Sequence, residues 1–142
     1  MFDAWAKNTL VPLVLRAGLA AIFIYHGIEK VGHNGGVGWS GPMDLPVYQE
    51  LLVAWGELIG GIAMVLGLLT RLAALGLATI MTGAIVNYHG ANGFALIDPS
   101  NPGAIGYEYN FAVLVICAAV ILLGPGKLAA DRIFRFKAKP PG

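Results

Sequence analysis

Charge is scarce in this 142-residue chain, with Asp, Glu, Lys and Arg making up only 12% of it. Soluble domains carry about 25%, so there is too little polar surface here to face water on every side. A hydrophobic share of 57% and a mean hydropathy of +0.71 agree. The reading is an integral membrane protein. A formal net charge of +1, with no basic stripe interleaved with aromatics, excludes a nucleic-acid partner. Cysteine is nearly absent too. Cys117 stands alone inside an apolar run, which excludes an internal disulfide and a cysteine-based metal cluster. Its simplest role is a small buried hydrophobe. No flavin, nicotinamide or Fe–S motif is present, and no metal site is expected. Period-2 alternation long enough for the strands of a membrane barrel is also missing, which leaves helices.

Four hydrophobic stretches supply them, at about 10–29, 50–69, 72–88 and 107–123, each close to the roughly 20 residues that a hydrocarbon core of about 30 Å demands. The expected fold is therefore all-α, a single domain over 1–142 built as a four-helix transmembrane bundle. Pro12 falls in the opening turn of the first helix, where its missing N–H does no harm. The apolar run after Leu10 is too long for a signal-peptide core and has no small-x-small exit, so it reads as an uncleaved first span. Gly124-Pro125-Gly126 stops the fourth helix. Two loops rich in glycine, around 33–42 and 90–106, separate the first helix from the second and the third from the fourth.

Orientation follows from the cations. An even number of spans puts both termini on one side, together with Lys7, Arg71, Lys127, Arg132, Arg135, Lys137 and Lys139, whereas the other side receives Lys30 alone. Both termini are expected to be cytoplasmic, in a bacterial-type inner (plasma) membrane, with 127–142 as a basic cytoplasmic tail and the two glycine-rich loops outside.

Within this frame the stretch Trp55–Arg71 stands out, because it reads as the inner part of one apolar helix yet carries a carboxylic acid at Glu57. A charge near mid-bilayer costs about 2.5–3.5 kcal/mol on insertion scales. Glu57 must therefore be neutralised, paired, or turned into a polar space between helices. Gly56, Gly60, Gly61 and Gly67 are small enough to let neighbouring helices approach closely. At 1.5 Å per residue, Glu57 lies about 10 Å below the outer surface and Arg16 about 9 Å in from the cytoplasmic end. His26, Glu29 and Lys30 fall near the outer end of the first helix, Tyr88 and His89 close the third, and Tyr107, Glu108, Tyr109 and Asn110 open the fourth. Two imidazoles, carboxylates and aromatics thus converge on the outer half of the bundle. Arg16 either pairs with Glu57 or reaches backbone carbonyls. Glu29 and Lys30 read as headgroup contacts, the tryptophans as an aromatic belt, and Asp131 as a cap or a counter-charge to the tail.

Several of these stretches resemble the DoxX family. They are Arg16 and His26-Gly27-Ile28-Glu29-Lys30 in the first helix, then Glu57-Leu58-Ile59-Gly60-Gly61 with Gly67, Thr70 and Arg71. His89 and Gly124-Pro125-Gly126-Lys127-Leu128-Ala129-Ala130-Asp131 complete the set, with Ala130 where the family typically has serine. The resemblance, spanning about Leu10 to Arg132, implies a four-helix membrane protein related to subunits of thiosulfate:quinone oxidoreductase. The function expected from it is a quinone-linked redox subunit with a polar pocket in the outer half. Glu57 and His26 would act in catalysis, and His26, His89, Arg16, Glu57, Tyr88 and Glu108 would line a quinone or substrate pocket. Electrons would come from a redox partner, another membrane-complex subunit, or a small reductant such as thiosulfate. Two other readings stay open. One is a non-catalytic accessory subunit of a larger membrane complex, packed through its glycine faces. The other is a haem protein ligated by His26 and His89.

Overall fold

The computed structural model describes residues 3–135, and these are all helix, turn and loop, without a strand among them. Five α-helices follow in order: α1 (Val11–Gly32), α2 (Val47–Leu66), α3 (Thr70–Ala84), α4 (Glu108–Leu123) and the short α5 (Ala130–Arg135). A π-helical turn, Ala6–Leu10, leads into α1, and another, Ile85–His89, extends α3. The continuous helical runs Ala6–Gly32, Val47–Leu66 and Thr70–Asn92 are long and apolar enough to cross a membrane. The 16 residues of α4 are apolar as well and reach about 24 Å.

The same i, i+3/i+4 rhythm selects the inward face of every long helix. It runs through Arg16, Leu19, Phe23 and Gly27 on α1, through Ala54, Glu57, Gly61 and Met64 on α2, through Ala74, Leu77 and Met81 on α3, and through Asn110, Val113, Cys117 and Val120 on α4, all buried. Leu19, Phe23, Met64, Ala74, Leu77, Met81, Val113, Cys117 and Val120 belong to one core shared by all four long helices. Large side chains such as Val14, Leu52, Ile59, Leu75 and Leu122 point outward, an arrangement that water would penalise and lipid tolerates.

Glycine sets how tightly α1 packs on α2. A Cβ on Gly27 would lie 2.6 Å from the backbone nitrogen of Leu58, and one on Gly61 would lie 2.9 Å from that of Ile24. Gly60 serves α3 in the same way, with the Leu77 side chain 2.6 Å from where its Cβ would stand.

Gly67 has a task besides the close packing expected of it, in which a Cβ would stand 2.6 Å from that of Ala129. The helix read through to Leu69 ends at Leu66, because Gly67 turns into the left-handed region (φ 65°) and its N–H bonds back to Ala63. Leu69 is also left-handed (φ 48°), a conformation that costs a branched residue of order 1–3 kcal/mol. Asp131, arriving from α5, supports this sharp junction. Its carboxylate accepts the N–H groups of Leu69 (2.6 Å) and Thr70 (2.8 Å), capping α3 from a distant part of the chain. The Asp131 N–H in turn donates to the Gly67 carbonyl. Burial works to raise the Asp131 pKa, but these N–H groups and the nearby Arg16 charge hold it below the ordinary aspartate range. The beginning of the segment read as a basic cytoplasmic tail is folded against the bundle, while Lys137 and Lys139 lie outside the described residues.

Candidate functional site

The polar residues of the bundle separate into two groups at its two ends. Arg16, 2% exposed, belongs to the end where the chain starts. Its Nε donates to the Met64 carbonyl, Nη2 to Val65, and Nη1 to both Pro125 and Leu128, at 2.8–2.9 Å. Of the two roles open to it, carbonyl binding is the one observed. The last carbonyls of a helix have no partner within it, and Arg16 satisfies two of them at the end of α2 while tying in the Gly124–Gly126 turn. Arg16 was expected in the outer pocket and does not line it.

At the other end, α1, α2, α3 and α4 and both connecting loops enclose a cavity of about 320 Å3, lined among others by His26, Lys30, Trp39, Glu57, Tyr88, His89, Tyr109 and Asn110. Its remaining wall is largely apolar, including Ile22, Phe23, Val53, Ile80 and Met81. The size is at the lower end of small-molecule pockets, about 300–1,000 Å3. Glu57 is 2% exposed, and the Lys30 Nζ stands 2.5 Å from its Oε2. Lys30 also sits 4.8 Å from the centre of the Trp39 ring. Lys30 was read as a headgroup contact; instead it answers the charge of Glu57 inside the bundle. The sequence held a signal for this, since Lys30 continues the inward series Phe23–Gly27 by one more step.

Trp39 had no such signal, because a loop brings it in. Glu50 accepts the N–H groups of Gly38 (2.8 Å) and Ser40 (3.1 Å), and its carbonyl receives the Trp39 indole N–H (3.1 Å). The indole N–H of Trp55 donates to the Gly35 carbonyl. A loop rich in glycine is thereby held in one shape across the cavity.

The two histidines differ in their surroundings. His26 meets Glu29 at 3.8 Å and lies edge-on to Tyr25 and, at 6.5 Å between ring centres, to Tyr109. His89 ends the π-helical turn that extends α3, and its Nδ1 is 2.9 Å from the Ile105 carbonyl. A carbonyl only accepts, so Nδ1 carries the proton, and in the neutral ring Nε2 is left as an acceptor. Asn110, 5% exposed, directs its amide N–H toward the Met81 sulfur at 3.5 Å. Glu108 was expected in the pocket but is exposed and does not line it. It accepts the Leu96 N–H and anchors the second loop to the start of α4.

The DoxX family model matches residues 11–90 of this chain, more than half of it. The chain belongs to the DoxX family. It is also 30% identical, over 131 residues, to a Bacillus subtilis (strain 168) protein named "Putative oxidoreductase CatD", covering 92% of this chain and 90% of that one. No solved structure matches it. In this DoxX protein the matched span contains Arg16, His26, Lys30, Glu57, Tyr88 and His89, whereas Tyr109 and Asn110 join the cavity from α4, beyond it.

Proposed function

We propose that this DoxX protein is a quinone-linked redox component of a bacterial-type inner membrane, crossing it four times with both termini cytoplasmic and the cavity in the outer half. The observation that carries this reading is the Lys30–Glu57 pair at the wall of a mainly apolar cavity, with Glu57 buried and Lys30 half-buried. An isolated charge there would be costly, and a paired one places a proton donor and a proton acceptor side by side in a space suited to a hydrophobic ring. The name of the B. subtilis relative supports redox chemistry.

A quinone supplies the acceptor chemistry, taking up two electrons and two protons to become a quinol. The residues divide the remaining work. Trp39 and the apolar wall hold the ring. His26 and Lys30 donate hydrogen bonds to its carbonyl oxygens. Glu57 Oε2, in contact with Lys30 Nζ, relays protons to the reduced oxygens. His89, whose Nε2 is left as an acceptor, receives a hydroxyl of the product rather than donating to a carbonyl of the substrate. Electrons arrive from a partner subunit or a small reductant such as thiosulfate.

The test uses the purified protein in lipid vesicles with a short-chain benzoquinone. Saturable binding is expected, read as quenching of tryptophan fluorescence and absent from Trp39→Phe. Glu57→Gln and His26→Ala should each weaken it at least tenfold while the thermal transition persists. Undiminished binding in both variants would refute the assignment. A stable co-purifying complex without quinone binding would favour the accessory-subunit reading instead.

A further inference from the structure

We infer that the end of the bundle opposite the cavity carries a built site for an anionic phospholipid, whose phosphate is held by Lys7, Arg71 and Arg132 and whose acyl chains run over Leu69, Leu72 and Leu123. These six residues, from separate parts of the chain, line one groove of about 760 Å3 between the start of α1, the start of α3 and the turn after α4. The groove has a fixed floor. The Lys127 N–H donates to the Asn8 carbonyl, and a Cβ on Gly126 would lie 2.8 Å from Pro12, so the turn is pressed onto the beginning of α1.

The charge balance in the groove points to an anion. Its one carboxylate, Asp131, already accepts the N–H groups of Leu69 and Thr70. Among the described residues, the ion pairs are His26–Glu29 and Lys30–Glu57, both at the far end, so none of the three groove cations has a carboxylate within 4.0 Å. A phosphate supplies the acceptors that three such donors require. The leucines select the source of that phosphate. All three are more than half exposed, at 61%, 63% and 53%, next to the cations. Free phosphate would leave them uncovered, whereas a lipid covers them with its chains. Basic pockets between membrane helices bind anionic headgroups on this principle. The inference does not depend on the quinone reading, since the two sites share no residue.

The experiment is native mass spectrometry and thermal unfolding of the full chain in neutral detergent, with phosphatidylglycerol, phosphatidylcholine or inorganic phosphate added. Phosphatidylglycerol should bind at one site and raise the transition temperature, with the other two inert. Lys7→Gln, Arg71→Gln and Arg132→Gln should each weaken binding about fivefold, and the triple variant roughly a hundredfold. Lys127→Gln keeps the backbone N–H that fixes the floor, removes a charge whose side chain does not line the groove, and should bind like the parent. Each variant's transition temperature without lipid reports its folding. Equal binding of phosphatidylcholine, or a triple variant that is folded and binds undiminished, would overturn the site. Inorganic phosphate that binds and displaces the lipid fully would overturn the lipid assignment in favour of a soluble anion. Loss of binding in Lys127→Gln equal to that of the groove variants would reduce it to general surface charge and overturn it too.

Discussion

Replacing Arg16 by lysine keeps the positive charge and removes only the fork that carries it. The guanidinium reaches four carbonyls, on Met64, Val65, Pro125 and Leu128. An ammonium has three donors on a single atom. At least one carbonyl, and by geometry two, is then left without a partner in a site that is 2% exposed. Hydrogen bonds to a charged group contribute about 1.5–3 kcal/mol each, so two lost bonds amount to about 3–6 kcal/mol before relaxation. Relaxation of the turn reduces this, and the expected loss for Arg16→Lys is about 3 kcal/mol, a large part of a total of about 5–15 kcal/mol. Arg16→Met leaves all four carbonyls unpaired and should be worse. Unfolding in mixed micelles with increasing denaturing detergent measures both. A lysine variant within about 1 kcal/mol of the parent would mean that charge alone holds this end together, and the argument from the fork would fail.

Gly27→Ala should cost about 1–3 kcal/mol, because its Cβ would meet the Leu58 backbone at 2.6 Å, whereas Gly18→Ala, with nothing within 4 Å, should be neutral or slightly stabilising. The same unfolding assay on both glycines separates helix contact from helix propensity. Asp131→Asn should lower stability by about 0.5–2 kcal/mol, as loss of a cap does. Because the folded Asp131 pKa lies below its unfolded value of about 3.9, its contribution is fully present above about pH 5 and is lost as pH falls through the folded value. The difference in transition temperature between parent and Asp131→Asn should therefore be constant from about pH 5 to 8 and close below about pH 4. Lys30→Met and Glu57→Gln should be strongly non-additive, with a coupling of about 2–3 kcal/mol in a double-mutant cycle. Additive single effects would show that the pair at 2.5 Å is not acting as one unit.

The helical character was legible in the sequence as apolar runs of bilayer-crossing length, whereas the inward faces, with Leu19, Phe23, Met64, Leu77 and Cys117 buried, came from the structure. Glu57 was legible as a carboxylic acid inside a span that is otherwise apolar from Leu51 to Leu69. The break at Gly67 was not, since a run of leucine and glycine reads the same whether the helix continues or turns, and the residue that secures the turn is Asp131, 61 residues away from Thr70 in the chain. Trp39 was hidden for a similar reason. Its place at the cavity depends on Glu50 gathering loop N–H groups, and a loop has no periodicity to read. Arg16 was correctly seen as buried, but not which of its two possible partners it has, because depth in a helix says nothing about what faces it across the bundle.

The cap on α3 has a consequence for biogenesis. The junction from α2 to α3 leaves the ribosome long before the aspartate that closes it, and so does the arginine whose carbonyl partners include Pro125 and Leu128. During synthesis the early helices can enter the bilayer and pair, but their sharp bend stays unlatched until α5 emerges and folds back. Shortening the chain just ahead of Asp131 would thus release a protein with every long helix in place and the start of α3 uncapped, ready material for membrane quality-control proteases.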